Sequence, residues 1–149
     1  MSYPEESSTS LTLAEAISQL RAADDPTGEI TAAMSSVAAQ AFEQHDAVHV
    51  LFGCGTTVQD EIAAHVWMAL GTTAKISETH KAVASQEHRK VLSGIGHAKL
   101  VGIWLLTLPR IIGIATRSLR MKKRIAFEQI EQLKEQPISV IRAEHGITI

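Results

Sequence analysis

The chain has 149 residues, with 14 Lys and Arg against 16 Asp and Glu and a single cysteine, Cys54. This length suits one domain with a real core, and the near-neutral balance makes no case for nucleic-acid binding. One cysteine rules out an internal disulfide and fits a reducing compartment.

The Ser-rich opening, residues 1–10, reads as a disordered lead without the apolar stretch of a signal peptide, and 11–149 reads as a single all-α domain. Thr12-x-x-Glu15 is a capping box that opens a helix to about Ala23, with Leu13, Ile17 and Leu20 on one face. Asp24-Asp25-Pro26 stops it and starts a second helix to about Leu51, with Ile30, Met34, Val37, Ala38, Ala41 and Val48 as its buried stripe. Gly53-Cys54-Gly55 ends that helix, Thr56 or Thr57 caps a third from Val58 to Leu70, and Gly71 closes it. A fourth is expected over about 73–92. From His97 a long apolar helix runs to Ala115, kinked at Pro109, and 116–134 continues it as an amphipathic helix with Leu119, Ile125, Ile130 and Leu133 inward. Gln136-Pro137 starts a short last helix that stops at Gly146. No strand pattern of period two occurs, so the fold class is an all-α bundle of five to seven helices. No apolar run reaches the roughly 18–20 residues of a membrane-spanning helix.

The chemistry concentrates in HDAVHVLFGCGTTVQDE, residues 45–61. His45 and His49 stand four apart, on one face of a helix. Glu61 follows His49 by twelve residues, past a Gly-x-Gly break that can fold the chain back. Two histidines and two carboxylates, Asp46 beside the first histidine and Glu61, brought together by a helical hairpin are what a divalent metal site needs; imidazole suits zinc and iron, and the carboxylates add hard oxygen donors. Asp46 is the less direct of the two carboxylates. Adjacent helical residues point about 100° apart, so it is either a ligand or a partner that orients an imidazole. His65, one turn beyond Glu61, is a further candidate ligand or a hydrogen-bonded wall of the site. His80, His88, His97 and His145 have no partner at ligand spacing and read as solvated, and Cys54 reads as a small buried residue.

This pattern resembles the ubiquinone (coenzyme Q) biosynthesis protein 4 family: His45-Asp46-x-x-His49, then Gly53, Thr56 or Thr57, and Glu61. A second likeness lies in EQPISVIRAEHGI, 135–147, which is similar to that family's closing Glu-x-Pro-Leu-x-x-x-Arg-x-Glu-x-Gly-Ile. The resemblance does not extend residue by residue through 66–134. It implies a metal site of His45, Asp46, His49 and Glu61, most often described as zinc. It also implies work at ring carbon C1 of a polyprenylated hydroxybenzoate-derived intermediate, where hydroxyl replaces the carboxylate, among other ubiquinone biosynthesis proteins at a membrane surface. The expected location is then cytoplasmic and peripheral, on the inner leaflet in a bacterium, with a homo-oligomer open.

The run 100–115 fits a core helix, a wall for an isoprenoid tail, or a membrane-surface helix; Val101, Trp104, Leu105, Leu108 and Ile112 would line an apolar groove. The cations beside it, Arg110, Arg117 and Arg120, suit a lipid headgroup or phosphate. Two rivals stand beside the enzyme reading: a non-catalytic prenyl-lipid-binding scaffold, and a metal-dependent hydrolase of the HD type built on His45-Asp46. The hydrolase needs further widely spaced His and Asp ligands, and no Asp follows Asp60.

Overall fold

Thr12 and Glu15 start the first helix by satisfying each other's backbone: Glu15 N donates to Thr12 Oγ1 at 3.3 Å and Thr12 N donates to Glu15 Oε2 at 2.9 Å. In the computed structural model, which describes residues 11–24, 36–74 and 97–149, this box opens α1 (Leu13–Asp24). Then follow α2 (Ser36–Phe52), α3 (Val58–Gly71), α4 (His97–Arg120), a 3-10 turn (Phe127–Gln129) leading into α5 (Ile130–Leu133), and α6 (Ile138–His145). The described residues are all-α, with two isolated backbone bridges and no strand. The expected start of the second helix, the expected helix over 73–92 beyond Ala74, and the lead 1–10 lie outside the described residues.

The apolar stripes meet in one core. Leu13 and Ile17 of α1 pack with Val48, Leu51 and Phe52 of α2, Ala63, Trp67 and Met68 of α3, and Ile138 and Ile141 of α6. Phe52 and Trp67 stack with ring centroids 4.3 Å apart. Gly71 makes room for this pair, since a Cβ there would stand 2.7 Å from Phe52 Cζ. The chain ends are stitched together as well: Leu13 N donates to Gln136 O and Ile138 N to Leu11 O, both at 3.0 Å.

Three expectations are corrected. Residues 116–134 do not form one helix. The helix ends at Arg120, and the chain then bends at residues 122–123 and reaches Ile125, which gives its N–H to Gly71 O and accepts from Thr73 N, both at 2.9 Å. That pairing seals the end of α3 and buries Ile125 completely, a gain that local helix propensity cannot match. Leu119, expected inward, is 87% exposed, on a helix face that no other described element covers. His145, expected in solvent, is buried, with its Nδ1–H donated to Ile141 O at 2.9 Å. The long helix runs unbroken through Pro109, and no helix among the described residues is long and apolar enough to cross a membrane.

Two glycine replacements should separate close packing from helix propensity. Gly71→Ala should cost about 1–3 kcal/mol, because the Phe52–Trp67 stack must shift. Gly102→Ala, in α4 with no described neighbour within 4 Å of the new methyl, should gain about 0.5–1 kcal/mol. Urea denaturation midpoints measure both, and equal changes would contradict this packing.

Candidate metal centre

The turn between α2 and α3 is built around His49. Gly53, at φ +64, supplies the left-handed residue that ends α2. Cys54 N donates back to His49 O at 2.9 Å and Gly53 N to Val50 O at 3.4 Å, the two bonds of a Schellman ending. The side chain of the same histidine is tied to the same turn, with Nδ1–H donated to Gly55 O at 2.8 Å. That bond fixes the tautomer and leaves Nε2 with its lone pair. Thr57 then caps α3 in a second box, its Oγ1 accepting from Asp60 N at 3.2 Å while Asp60 Oδ2 accepts from Thr57 N at 3.2 Å. The cap places Glu61 in the first turn of α3, facing the histidines.

His45, His49 and Glu61 converge. The imidazole centroids are 4.6 Å apart, Glu61 Oε2 lies 3.5 Å from His45 Nε2, and Glu61 Oε1 lies 3.3 Å from His49 Nε2. One ligand atom from each of the three falls within 4.8 Å of the others. A tetrahedral ion with bonds of about 2.1 Å has ligand atoms about 3.4 Å apart, so the two His–Glu separations suit a shared ion. His49 Nε2 is buried and, although Glu61 Oε1 lies 3.3 Å away, meets no hydrogen bond of good geometry among the described residues. A buried acceptor left in that state is costly, and a metal ion would satisfy it. The three side chains could therefore hold a metal ion between two consecutive helices. Two imidazoles and one carboxylate suit zinc, and equally the facial arrangement of non-haem iron.

The ionisation of the site follows from the same contacts. Burial alone would depress His49, but the Glu61 carboxylate, the Gly55 carbonyl and Asp46 outweigh it and hold its pKa above the ordinary value of 6.5. Burial would likewise raise Glu61, but His49 above all, then His45 and His65, bring it below its ordinary 4.5.

The other expected residues take distinct places. Asp46 lies outside the converging set; its Oδ2 receives Arg21 Nε from α1 at 2.7 Å. His65 donates Nδ1–H to Glu61 O at 2.7 Å and sets its ring 5.3 Å from that of His45, bordering the three ligands without joining them. Cys54 is buried, burial first of all pushes its thiol up to about 12, and it lies outside the converging set. Arg110, expected to face headgroups, pairs with Asp60 Oδ1 at 2.7 Å. Arg117 is half-buried and Arg120 exposed. Val101, Trp104, Leu105, Leu108 and Ile112 form an exposed stripe along α4, from 44% exposure at Leu108 to 66% at Ile112. His80 and His88 lie outside the described residues, as does the side chain of His97. Sequence reasoning overlooked Arg21, whose register against Asp46 depends on how α1 packs. It also overlooked Asp60, although Thr57-x-x-Asp60 is a readable cap.

No protein-family model matches this chain, and no curated protein or solved structure does so either.

Metal binding should oppose protonation. In the metal-free protein the stabilisation from the raised His49 pKa is complete below 6.5 and is lost as pH rises through the folded value. That from Glu61 is complete above 4.5 and is lost as pH falls through its lowered value. An ion requires neutral imidazoles. The rise in Tm on adding zinc should thus be larger at about pH 7.5 than at about pH 5.5, and a gain independent of pH would contradict a histidine site. His49→Ala should abolish the gain and leave the far-ultraviolet circular dichroism nearly unchanged.

Proposed function

We propose that the protein acts in ubiquinone or related prenyl-quinone biosynthesis, at ring carbon C1 of a polyprenylated hydroxybenzoate-derived intermediate, where the carboxylate leaves as CO₂ and hydroxyl enters with O₂ as the oxidant; His45, His49 and Glu61 would hold a divalent ion for this chemistry. One observation carries the reading. The two stretches that resemble the coenzyme Q biosynthesis protein 4 family are far apart in sequence and meet in space. Arg142, from the second stretch, donates Nε to Leu51 O at 2.9 Å and Nη2 to Val50 O at 2.8 Å, on the last turn of the helix that carries both histidines. Two motifs that serve one site would be joined in this way.

A bound ion would supply a Lewis acid toward the substrate's carboxylate or phenolate and, as iron, a centre able to activate O₂. The chain's own residues do the rest. Glu61 would offset part of a bound ion's charge, and the Gly55 carbonyl holds His49 in the tautomer that presents Nε2. His65 walls the site beside His45.

The exposed stripe on α4 fits the tail of such a substrate. Val101, Trp104, Leu105, Leu108 and Ile112 recur at helical spacing on one face. Exposed Arg120, Lys122, Lys123 and Arg124 follow at the end of that helix, so an apolar face and cations lie in the order that an anionic membrane surface favours. The same stripe favours a second reading, a prenyl-lipid-binding scaffold that presents the intermediate to other enzymes.

Two experiments test the proposal and separate the readings. Metal analysis of the purified protein, with mass spectrometry of extracted lipid, should find about one ion per chain and a prenylated aromatic. In cells lacking their own C1-processing protein, the wild type should restore quinone synthesis and His49→Ala should not. Full rescue by His49→Ala, with lipid still bound, would overturn the metal-dependent enzyme and leave the scaffold. In liposome flotation, wild type should bind anionic vesicles and Arg117→Glu with Arg120→Glu should not; a wild type that fails to float would remove the membrane.

A further inference from the structure

Each of the three converging ligands has a sequence neighbour gripped by an arginine from a different helix. Asp46 follows His45, and Arg21 of α1 binds its carboxylate at 2.7 Å. Val50 follows His49, and Arg142 of α6 spans the carbonyls of Val50 and Leu51 at 2.8 and 2.9 Å. Asp60 precedes Glu61, and Arg110 of α4 meets its carboxylate at 2.7 Å. α1, α4 and α6 contribute no member of the converging set, yet each sends one guanidinium to the residue beside a ligand.

We infer that Arg21, Arg110 and Arg142 are positioning residues of the metal centre, an inference that rests on the reading of His45, His49 and Glu61 as its ligands. Consecutive Cα atoms are about 3.8 Å apart, so a clamp on one residue restrains the backbone of the next. Ligand sites demand placement within about 0.5 Å and 10–20°. Short helical segments cannot secure this through their own hydrogen bonds, because α2 is at its last turns and α3 at its first. The arginines hold those ends. Asp60 illustrates the double duty: its Oδ2 accepts from Thr57 N at 3.2 Å in the cap of α3 while its Oδ1 meets Arg110 Nη2 at 2.7 Å, so one carboxylate serves cap and clamp together. Arg142 does a different job. Its planar fork spans two carbonyls at the end of α2, Leu51 O and Val50 O, the second of which also takes the long 3.4 Å bond from Gly53 N, and a cation there complements the negative end of the helix dipole. Lysine can replace a single contact to a carboxylate, but it lacks the rigid fork that spans two carbonyls.

Cobalt(II) titration of the full chain tests this, because the d–d absorption of the bound ion reports ligand geometry directly. Arg21→Ala, Arg110→Ala and Arg142→Ala should each bind cobalt about 10–100-fold more weakly than wild type, with shifted bands and unchanged helical circular dichroism. Lysine at 21 and at 110 should restore most of the affinity and the wild-type bands; lysine at 142 should not. Alanine variants with wild-type affinity and bands would overturn the inference. If Arg142→Ala loses its helices, Arg142→Lys decides that position, and wild-type bands there would overturn its role. A wild type that binds no cobalt would instead remove the metal site itself, which is a separate result.

Discussion

The bond from His49 Nδ1 to Gly55 O is the constraint on which the site depends. It ties a side chain in the last turn of α2 to the backbone of the turn that leads into α3. The carbonyl of the same residue holds Cys54, so one histidine governs both the end of its helix and the direction of the next. Without this double attachment, the break at Gly53 would leave α3 free to leave at other angles, and Glu61 would lose its register with His45 and His49. The tautomer that results is the one a metal ion needs.

The rest of the described chain braces that hairpin and leaves one face open. Stacked Phe52 and Trp67 and the bridge at Ile125 close the far end of α3, where Gly71 permits the approach. α4 gives Ile114 to the core cluster and presents Leu106, at 74% exposure, and its neighbours outward. A stripe of large apolar side chains that size is unusual on a protein that meets only water. It is the feature that a lipid or membrane reading draws on. The buried and braced end of the molecule carries the ligands, and its exposed long helix carries the apolar surface.

What could be read from the sequence was what depends on local spacing. The Thr12–Glu15 box, the left-handed stops at Gly53 and Gly146, and the helical His45–His49 pair need only neighbours within a few residues, and the structure has them. Glu61 was legible because a two-glycine turn of that length brings the next helix back. What failed depended on partners distant in sequence. The amphipathic look of 116–134 gave no sign that Ile125 would pair with the backbone at Gly71 and Thr73. Asp46 was expected as a ligand or as the partner of an imidazole; it lies outside the converging set, and its engagement with Arg21 follows from the packing of α1 on α2. His145 looked solvated because its partner is a carbonyl of its own helix, which leaves no mark in composition.

The most direct test is diffraction at the metal absorption edge from crystals of zinc-reconstituted protein. A metal site of these three side chains gives a single strong anomalous peak bonded to Nε2 of His45, Nε2 of His49 and a carboxylate oxygen of Glu61, at about 2.0–2.2 Å, with Asp46 still on Arg21. A peak elsewhere, or one coordinated by Asp46 in place of Glu61, would contradict it.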